Sequence, residues 1–211
     1  MGLIAVFDFD GTLIKEDSIV LFFRRYYKYS LGNTGIFLAL VCETIKFFMK
    51  INSQKQFKEK FINLVISSIK NKSLEEIIPD FSKFLLWKIL KDALLEINRL
   101  KEKGFETVLL SASLDFYLTQ IKETLGFSKL ICTQTSLIAG KIIITGENCY
   151  GKNKIARLLA QYPKDSTDWQ NSYCFTDNPS DSGLLSLFGN SFAVNNKLAE
   201  KNPGVKHLVW K

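Results

Sequence analysis

Two aspartates with a single residue between them, Asp8 and Asp10, follow directly on the apolar run Leu3 to Phe7 and precede Gly11. Such a run reads as a strand buried on both faces of a parallel sheet. Side chains two apart on extended chain point the same way, so both carboxylates share one site at the strand's carboxyl end. Open α/β sheets bind ligands there. Asp-Gly is equally ordinary turn chemistry, and this stretch alone leaves a plain polar strand end open. Two further apolar runs also end in reactive groups, one in Leu110-Ser111-Ala112-Ser113 and one in Thr176-Asp177, with Asp181 one helical turn on. Between them Lys152 and Lys154 open a helical stretch. Parallel strands gather their carboxyl ends, so these groups can meet.

The chemistry such a set can perform is phosphoryl transfer, which asks for a nucleophile, charge neutralisation and a proton donor. A carboxylate can be the nucleophile, giving an aspartyl-phosphate. Its repulsion from a phosphate dianion calls for a bridging cation, and oxygen ligands such as Asp8 and Asp177 with several waters suit Mg²⁺. Ser111 and a nearby backbone amide, that of Ala112, can donate to phosphoryl oxygens, and a lysine can supply opposing charge. Asp10 is placed to protonate the leaving alkoxide and then to take a proton from water.

The elements that must position these groups read as alternating strands and helices with one interruption. Asp17-Ser18 caps a helix running to about Tyr29, Leu31-Gly32-Asn33 breaks it, and a second covers Gly35 to about Lys50. A third runs from about Ser53 to Ile69, with Phe57, Phe61, Leu64, Val65 and Ile69 on one stripe and lysines opposite. Ser73 and Glu76 form a capping box for a short fourth helix, with Pro79 near its end. From about Phe84 the pattern alternates: a helix from Leu86 to Lys103, a strand from Glu106 to Leu110, and a helix ending before Gly126. A strand from Leu130 to Thr133 follows, then a hairpin turned at Gly140 and a helix from about Gly151. Tyr173 to Thr176 and Ser191 to Val194 are the last strands. The expected fold is α/β, a doubly wound, Rossmann-like parallel sheet. Its core is residues 1–15 and 82–211, with an all-helical insertion over 16–81.

With Asp8-Phe9-Asp10-Gly11-Thr12, Leu110-Ser111-Ala112-Ser113, a helix-opening lysine and Thr176-Asp177-Asn178-Pro179-Ser180-Asp181 in order, the chain resembles the haloacid dehalogenase superfamily of aspartate-nucleophile phosphatases. It is most similar to their phosphoserine-phosphatase-like branch, whose helical insertion is a C1-type cap. The resemblance implies Asp8 as nucleophile and Asp10 as acid and base. It also implies Mg²⁺ held by Asp8, the Asp10 carbonyl and Asp177, with Asp181 supporting them. Cys149-Tyr150-Gly151-Lys152-Asn153-Lys154-Ile155 resembles the Cys-x-Gly-x-x-Lys-Val pattern of a subgroup that includes bacterial phosphatidylglycerophosphate phosphatases. That pattern selects Lys154, while Lys152 fits the helix phase of phosphoserine phosphatases almost as well.

Composition bounds the partners. Of 211 residues, 46% are hydrophobic and 23% charged, which excludes global disorder. A first strand starting at residue 3 leaves no room for a cleavable signal peptide, so the expected location is cytoplasmic. Cys42, Cys132, Cys149 and Cys174 read as buried thiols rather than a zinc site or disulfide frame, and the lone His207 excludes a histidine-based triad. A net charge of +7 suits an anionic partner: a phosphorylated small molecule, a lipid headgroup or a membrane surface. No dense basic cluster with interleaved aromatics points to nucleic acid.

For the substrate, phosphoserine recognition in the resembled branch uses an acidic residue where Asp17 falls, although Asp17 also reads simply as a helix cap. It also uses a cap arginine, where this chain offers Lys55, Lys58 and Lys60. The insertion is aromatic, apolar and basic, which favours a lipid phosphate or another bulky phosphate. Its second helix, with Arg24, Arg25, Lys28, Lys46 and Lys50 nearby, reads either as lying peripherally on an anionic inner-membrane surface or as part of a helical-bundle core. A phosphate- or lipid-binding protein without turnover is the alternative of another class, and a receiver-type phosphorylation switch ranks last.

Overall fold

The computed structural model describes residues 1–26, 34–69 and 72–211. The expected break at Leu31-Gly32-Asn33, the last turn of the first helix and Lys28 lie outside the described residues. In chain order, β1 (Ile4–Phe7) is followed by four helices, α1 (Ser18–Tyr26), α2 (Thr34–Phe48), α3 (Gln54–Ser68) and α4 (Leu74–Trp87). Then come α5 (Lys91–Glu102), β2 (Glu106–Leu114), α6 (Asp115–Leu125), β3 (Lys129–Thr133), and the hairpin of β4 (Thr135–Ile138) and β5 (Lys141–Ile144). The chain closes with α7 (Lys152–Gln161), β6 (Tyr173–Thr176), a 3-10 turn at Pro179–Asp181, α8 (Ser182–Leu185), β7 (Asn190–Val194) and β8 (Lys206–Leu208).

Six strands form one parallel sheet in the order β3-β2-β1-β6-β7-β8. β1 is therefore central, with Val6 paired to Val108 on one side and to Cys174 on the other. Ala5 and Phe7 face a core shared with Ile97 of α5 and Ile121 of α6. Ile4 and Val6 face a second core holding Leu158 of α7 and Leu184 of α8. Both faces are covered, which is why Leu3 to Phe7 reads as continuous apolar sequence rather than alternating. Phe7, Phe175 and Phe192 stack across three neighbouring strands at 4.7 and 5.0 Å between ring centroids. This is the doubly wound sheet expected from the alternation of elements.

Several boundaries differ from expectation. α4 continues to Trp87 and carries Pro79 well inside it. Ile77, Phe81, Ser82 and Leu85 are buried at helical spacing, and this packing outweighs the one hydrogen bond that Pro79 cannot donate. α5 accordingly begins at Lys91 rather than Leu86. α3 does not hold all its lysines opposite the apolar stripe, because Lys58 is buried with Phe61, Ile62 and Val65. β8 was not foreseen, since Lys206-His207-Leu208 is a short, largely exposed edge strand with only Leu208 partly buried. The hairpin turn falls on Ala139 and Gly140, both with positive φ (49° and 74°), as a two-residue turn requires. Cys42 is exposed, whereas the other three cysteines are buried as expected.

The helical segment leaves the sheet after Leu13 and returns beside it, where Leu90 N–H donates to the Leu13 carbonyl at 2.9 Å. Phe22 of α1 and Tyr117 of α6 both meet the Phe81 ring of α4 edge-on, at 4.9 and 5.3 Å. α1 is fastened to α4 by Arg25, whose Nε and Nη2 donate to Asp80 at 2.9 and 2.7 Å, and by the Tyr26 hydroxyl at 2.6 Å. The Arg25 hydrogen bonds hold the Asp80 carboxyl down at about 2. Because the folded-state value lies below the unfolded one, this stabilisation is full above pH 4 and is lost as pH falls toward 2. Asp80→Asn should therefore cost about 1–2 kcal/mol at pH 7, allowing for solvent around a pair roughly a third exposed. Urea unfolding of both proteins should show the gap narrowing from pH 4 downward. A gap independent of pH would remove the ion pair as its source.

Candidate active site

The site is built where β1 ends. Asp8 N–H still pairs with the β6 carbonyl of Phe175 at 2.9 Å, so Asp8 is held in sheet geometry. The chain then wraps around the Phe9 carbonyl, which accepts from the N–H groups of Thr12, Leu13 and Ile14 at 2.8 to 3.3 Å. Gly11 makes this turn at φ 71°, a left-handed conformation that glycine adopts without steric cost. A Cβ at this position would fall 2.0 Å from Asp177 Oδ2. The loop thus brings main chain directly against the carboxylate from the end of β6. Thr12 completes the join: its Oγ1 donates to Asp177 Oδ1 at 3.2 Å and accepts from Asp177 N–H at 3.0 Å.

Asp8 is 6% exposed. Its Oδ1 accepts from Phe9 N–H at 2.7 Å, and its Oδ2 from Lys154 Nζ at 2.8 Å and Thr176 Oγ1 at 3.3 Å. Lys154 also donates to Asp181 Oδ2 at 2.7 Å, and the Thr176 hydroxyl donates to that same oxygen at 2.8 Å. Burial opposes the Lys154 charge, but Asp8 and Asp181 outweigh it and hold the ammonium above its ordinary value. Lys152, the alternative in the sequence, is exposed.

The Asp10 carboxylate turns away from Asp8 into a cluster of hydroxyls. Oδ1 accepts from Ser18 N–H at 2.8 Å, and Oδ2 from Ser18 Oγ at 3.0 Å and from Ser113 Oγ. The Tyr117 hydroxyl meets Ser18 Oγ at 2.8 Å. Burial, with the charges of Asp17 and Asp8, raises Asp10 to about 7 even though the Ser113 hydrogen bond works the other way. Asp177 is also raised to about 7, by burial first and then by the Asp8 charge.

Asp8, Asp10, Asp17, Ser111, Ala112 and Asp177 line one pocket of about 250 Å³, while Lys154 reaches Asp8 from behind its wall and is itself held by Asp181. Ser111 Oγ accepts from Ser113 N–H at 3.1 Å. Asp17 caps α1, its Oδ1 accepting from Ile19 and Val20 N–H at 2.8 and 3.2 Å. A larger groove of about 670 Å³ lies between α2, α3 and β5 and contains none of this acidic set.

Sequence reasoning took Ser18 only as part of a helix cap and Lys58 only as one of three cap lysines, and it gave no separate role to Thr12, Ser113 or Thr176, whose hydroxyls meet the carboxylates, or to Tyr117, which meets Ser18. Lys58 lines the pocket from α3 and donates to the Ala112 carbonyl at 2.7 Å. Its signal was its phase, since Lys58 precedes Phe61 and Ile62 by one helical turn and so falls on the buried stripe.

Solved structures share this architecture. A protein of unknown function from Bordetella pertussis Tohama I aligns with a TM-score of 0.78 at 18% identity, covering 99% of this chain and 98% of that one. A probable phosphoserine phosphatase from Vibrio cholerae gives 0.71 at 18%, covering 97% and 60%. A phosphoserine phosphatase in its apo form gives 0.63 at 21%, covering 99% and 94%. At these identities the likeness is one of fold. No curated protein sequence matches the chain. The model of the haloacid dehalogenase-like hydrolases matches residues 5–186, a span that holds every acidic residue of the site from Asp8 to Asp181. The chain belongs to that hydrolase family.

Proposed function

We propose that this protein is a Mg²⁺-dependent phosphomonoester hydrolase that works through an aspartyl-phosphate at Asp8. The carrying observation is the convergence of Asp8 and Asp10 after β1, Asp177 after β6 and Ser111 on one pocket, with Lys154 behind Asp8. Ser111 lies inside β2, which runs on to Leu114 rather than ending at Leu110. The Asp8 carboxylate oxygen bonds to phosphorus as the bond from phosphorus to the leaving oxygen breaks, and Asp10 gives that oxygen its proton. Water then attacks phosphorus, Asp10 takes the proton, and inorganic phosphate and free Asp8 result. A value near 7 suits Asp10 to both transfers. Ser111 Oγ and the Ala112 amide donate to the phosphoryl oxygens. Lys154, held by Asp181, orients Asp8 through its hydrogen bond to Oδ2.

The oxygen donors fit Mg²⁺. Among the described residues no group of three or more His, Cys, Asp or Glu side chains is arranged to hold a metal ion. Mg²⁺ needs no such cage, because it keeps several waters and binds through one or two carboxylates. Asp8 and Asp177, with the Asp10 carbonyl, would supply that set, and their mutual repulsion is what a divalent cation relieves. Bound there, Mg²⁺ neutralises charge between the carboxylates and the phosphoryl group.

Residues 16–81 act in this reading as a cap that selects the leaving group. A lipid or other bulky phosphate, phosphatidylglycerophosphate among them, suits this cap better than phosphoserine or another small metabolite. Asp17 is engaged as a helix cap, and the cations lining the pocket are Lys15, from the loop after β1, and Lys58, tied to the Ala112 carbonyl. α2 carries exposed Phe37, Leu38, Val41, Ile45 and Phe48, with exposed Met49 just past its end, close in sequence to Lys46 and Lys50, a face suited to peripheral contact with anionic headgroups. Arg25 takes no part, being bound to Asp80. No helix among the described residues is long and apolar enough to cross a membrane. Sedimentation with phosphatidylglycerol vesicles, but not with phosphatidylcholine vesicles, is the expected result, and equal recovery with both would remove the contact.

Asp8→Asn should lower hydrolysis of p-nitrophenyl phosphate by about 10³-fold or more while the protein still folds, as read by circular dichroism. Full activity in that variant would end the nucleophile assignment, and inactivity of the wild-type protein with Mg²⁺ would favour a non-catalytic phosphate-binding protein. Mg²⁺ at a hundred times its dissociation constant should add about 2.7 kcal/mol to wild-type stability. Gly11→Ala and Asp177→Asn should each abolish that increment, read as the Mg²⁺-dependent shift in unfolding midpoint.

A further inference from the structure

A second pocket of about 350 Å³ adjoins the catalytic one, and Asp17, Gln54 and Lys58 line both. Three helices build it. α1 contributes Ile19 and Phe23 one turn apart, α2 contributes Phe47, and α3 contributes Phe57 and Phe61. On α1 the next positions, Phe22 and Tyr26, turn into the protein core instead. The rings form a continuous wall: Phe47 stacks on Phe57 at 4.5 Å, Phe57 meets Phe61 at 5.1 Å, and Phe61 meets Phe23 at 5.6 Å. Thr44, a polar residue of this lining, spends its hydroxyl on the Leu40 carbonyl at 2.8 Å. The remaining polar side chains are the three shared with the catalytic pocket. At the outer rim Val20 and Phe48 are exposed.

The chamber therefore runs from a charged end, at the phosphoryl site, to an apolar interior and a solvent-facing rim. Its polarity matches a phosphomonoester with an apolar body rather than one bearing an amine and a carboxylate. Burying a charged amino-acid head against five apolar side chains would strip its hydration without replacing it. An alkyl or aryl group gains from the same walls. At roughly 30 Å³ per heavy atom the volume holds about a dozen of them, enough for one chain or ring but not two acyl chains.

We propose that this chamber binds the apolar portion of the leaving group, so that the preferred substrates are phosphomonoesters of a single medium-length alkyl chain or an aromatic ring. The proposal rests on the phosphomonoesterase reading above and narrows its substrate class, away from diacyl lipids such as phosphatidylglycerophosphate and toward single-chain or aromatic esters. Asp17, Gln54 and Lys58 then flank the ester oxygen, and Phe57, touching both neighbouring rings, sets the depth.

The test is a series of n-alkyl phosphates from ethyl to dodecyl, kept below micelle formation, beside phosphoserine. Binding of the matching n-alkylphosphonates is measured by calorimetry. Both kcat/KM and affinity should rise about two- to fourfold per methylene and level off as the chamber fills. Phe57→Ala should cut the octyl-to-ethyl ratio at least tenfold, and Phe57→Leu should restore most of it. Val20→Lys, at the exposed rim, should blunt the gain for the longest chains without burdening the fold. Turnover with no dependence on chain length, or with phosphoserine preferred, overturns the chamber while leaving the phosphatase reading intact. Phosphonate affinity that climbs with chain length in a protein without turnover does the reverse. An unchanged ratio in a folded Phe57→Ala protein also overturns it.

Discussion

One buried ammonium holds this site together. Lys154 lies between Asp8 and Asp181, within 2.8 Å of each, and is 2% exposed. Removing three charges from water costs several kcal/mol per ion, and only mutual attraction and good hydrogen bonding return it. Thr176 adds a hydroxyl to both carboxylates. Removing one member would leave its partners charged and buried without compensation, so the three behave as a unit. They come from the ends of β1 and α7 and from the turn after β6. Forming the trio therefore requires the sheet order to be right, and in return it fixes where α7 begins. The excess negative charge is the functional consequence. One ammonium cannot balance Asp8 and Asp181, and Asp177 adds a third carboxylate on the pocket side.

A second constraint acts through space rather than charge. The loop after β1 approaches Asp177 so closely that only hydrogen fits at residue 11. The same turn rotates Asp10 out of line with Asp8, into the hydroxyls of Ser18 and Ser113. Two carboxylates one residue apart thus reach different environments. Asp8 lies against an ammonium, whereas Asp10 has only neutral donors, and burial together with nearby negative charge lifts it to about 7. In the proposed reading, division of labour between nucleophile and acid follows from where the chain turns.

That division was only half legible in the sequence. Alternating strands and helices dictated the doubly wound sheet, because strands covered on both faces must be apolar throughout, as Ile4 to Phe7 are. The convergence of Asp8, Ser111 and Asp177 followed from parallel topology. Alternation alone, however, would have pointed Asp8 and Asp10 the same way, and the turn around the Phe9 carbonyl prevents that. Hydroxyl partners such as Ser18 and Tyr117 are invisible to local patterns because each is 95 or more residues from one of its contacts. The extent of α4 was missed because Pro79 is a local signal, while the burial of Phe81 and Leu85 that overrides it is tertiary. β8 escaped for the opposite reason: an edge strand needs little apolar sequence once β7 offers it hydrogen bonds.

α3 shows how selection and closure fall to one element. Along one side, Glu59 accepts from Ile144 N–H at 2.8 Å, Asn63 exchanges two hydrogen bonds with Ile142, and Lys58 donates to the Ala112 carbonyl. Another side carries Phe57 and Phe61 toward α1 and α2. These bonds, each worth about 0.5–1.5 kcal/mol net, hold α3 against the β4-β5 hairpin and β2, where Phe61, Ile62 and Val65 share one apolar core with Ile142 and Ile144. Lys58 serves both sides, because it bonds the Ala112 carbonyl next to Ser111, as the Thr133 hydroxyl also does at 2.8 Å, and it lines the aromatic pocket as well.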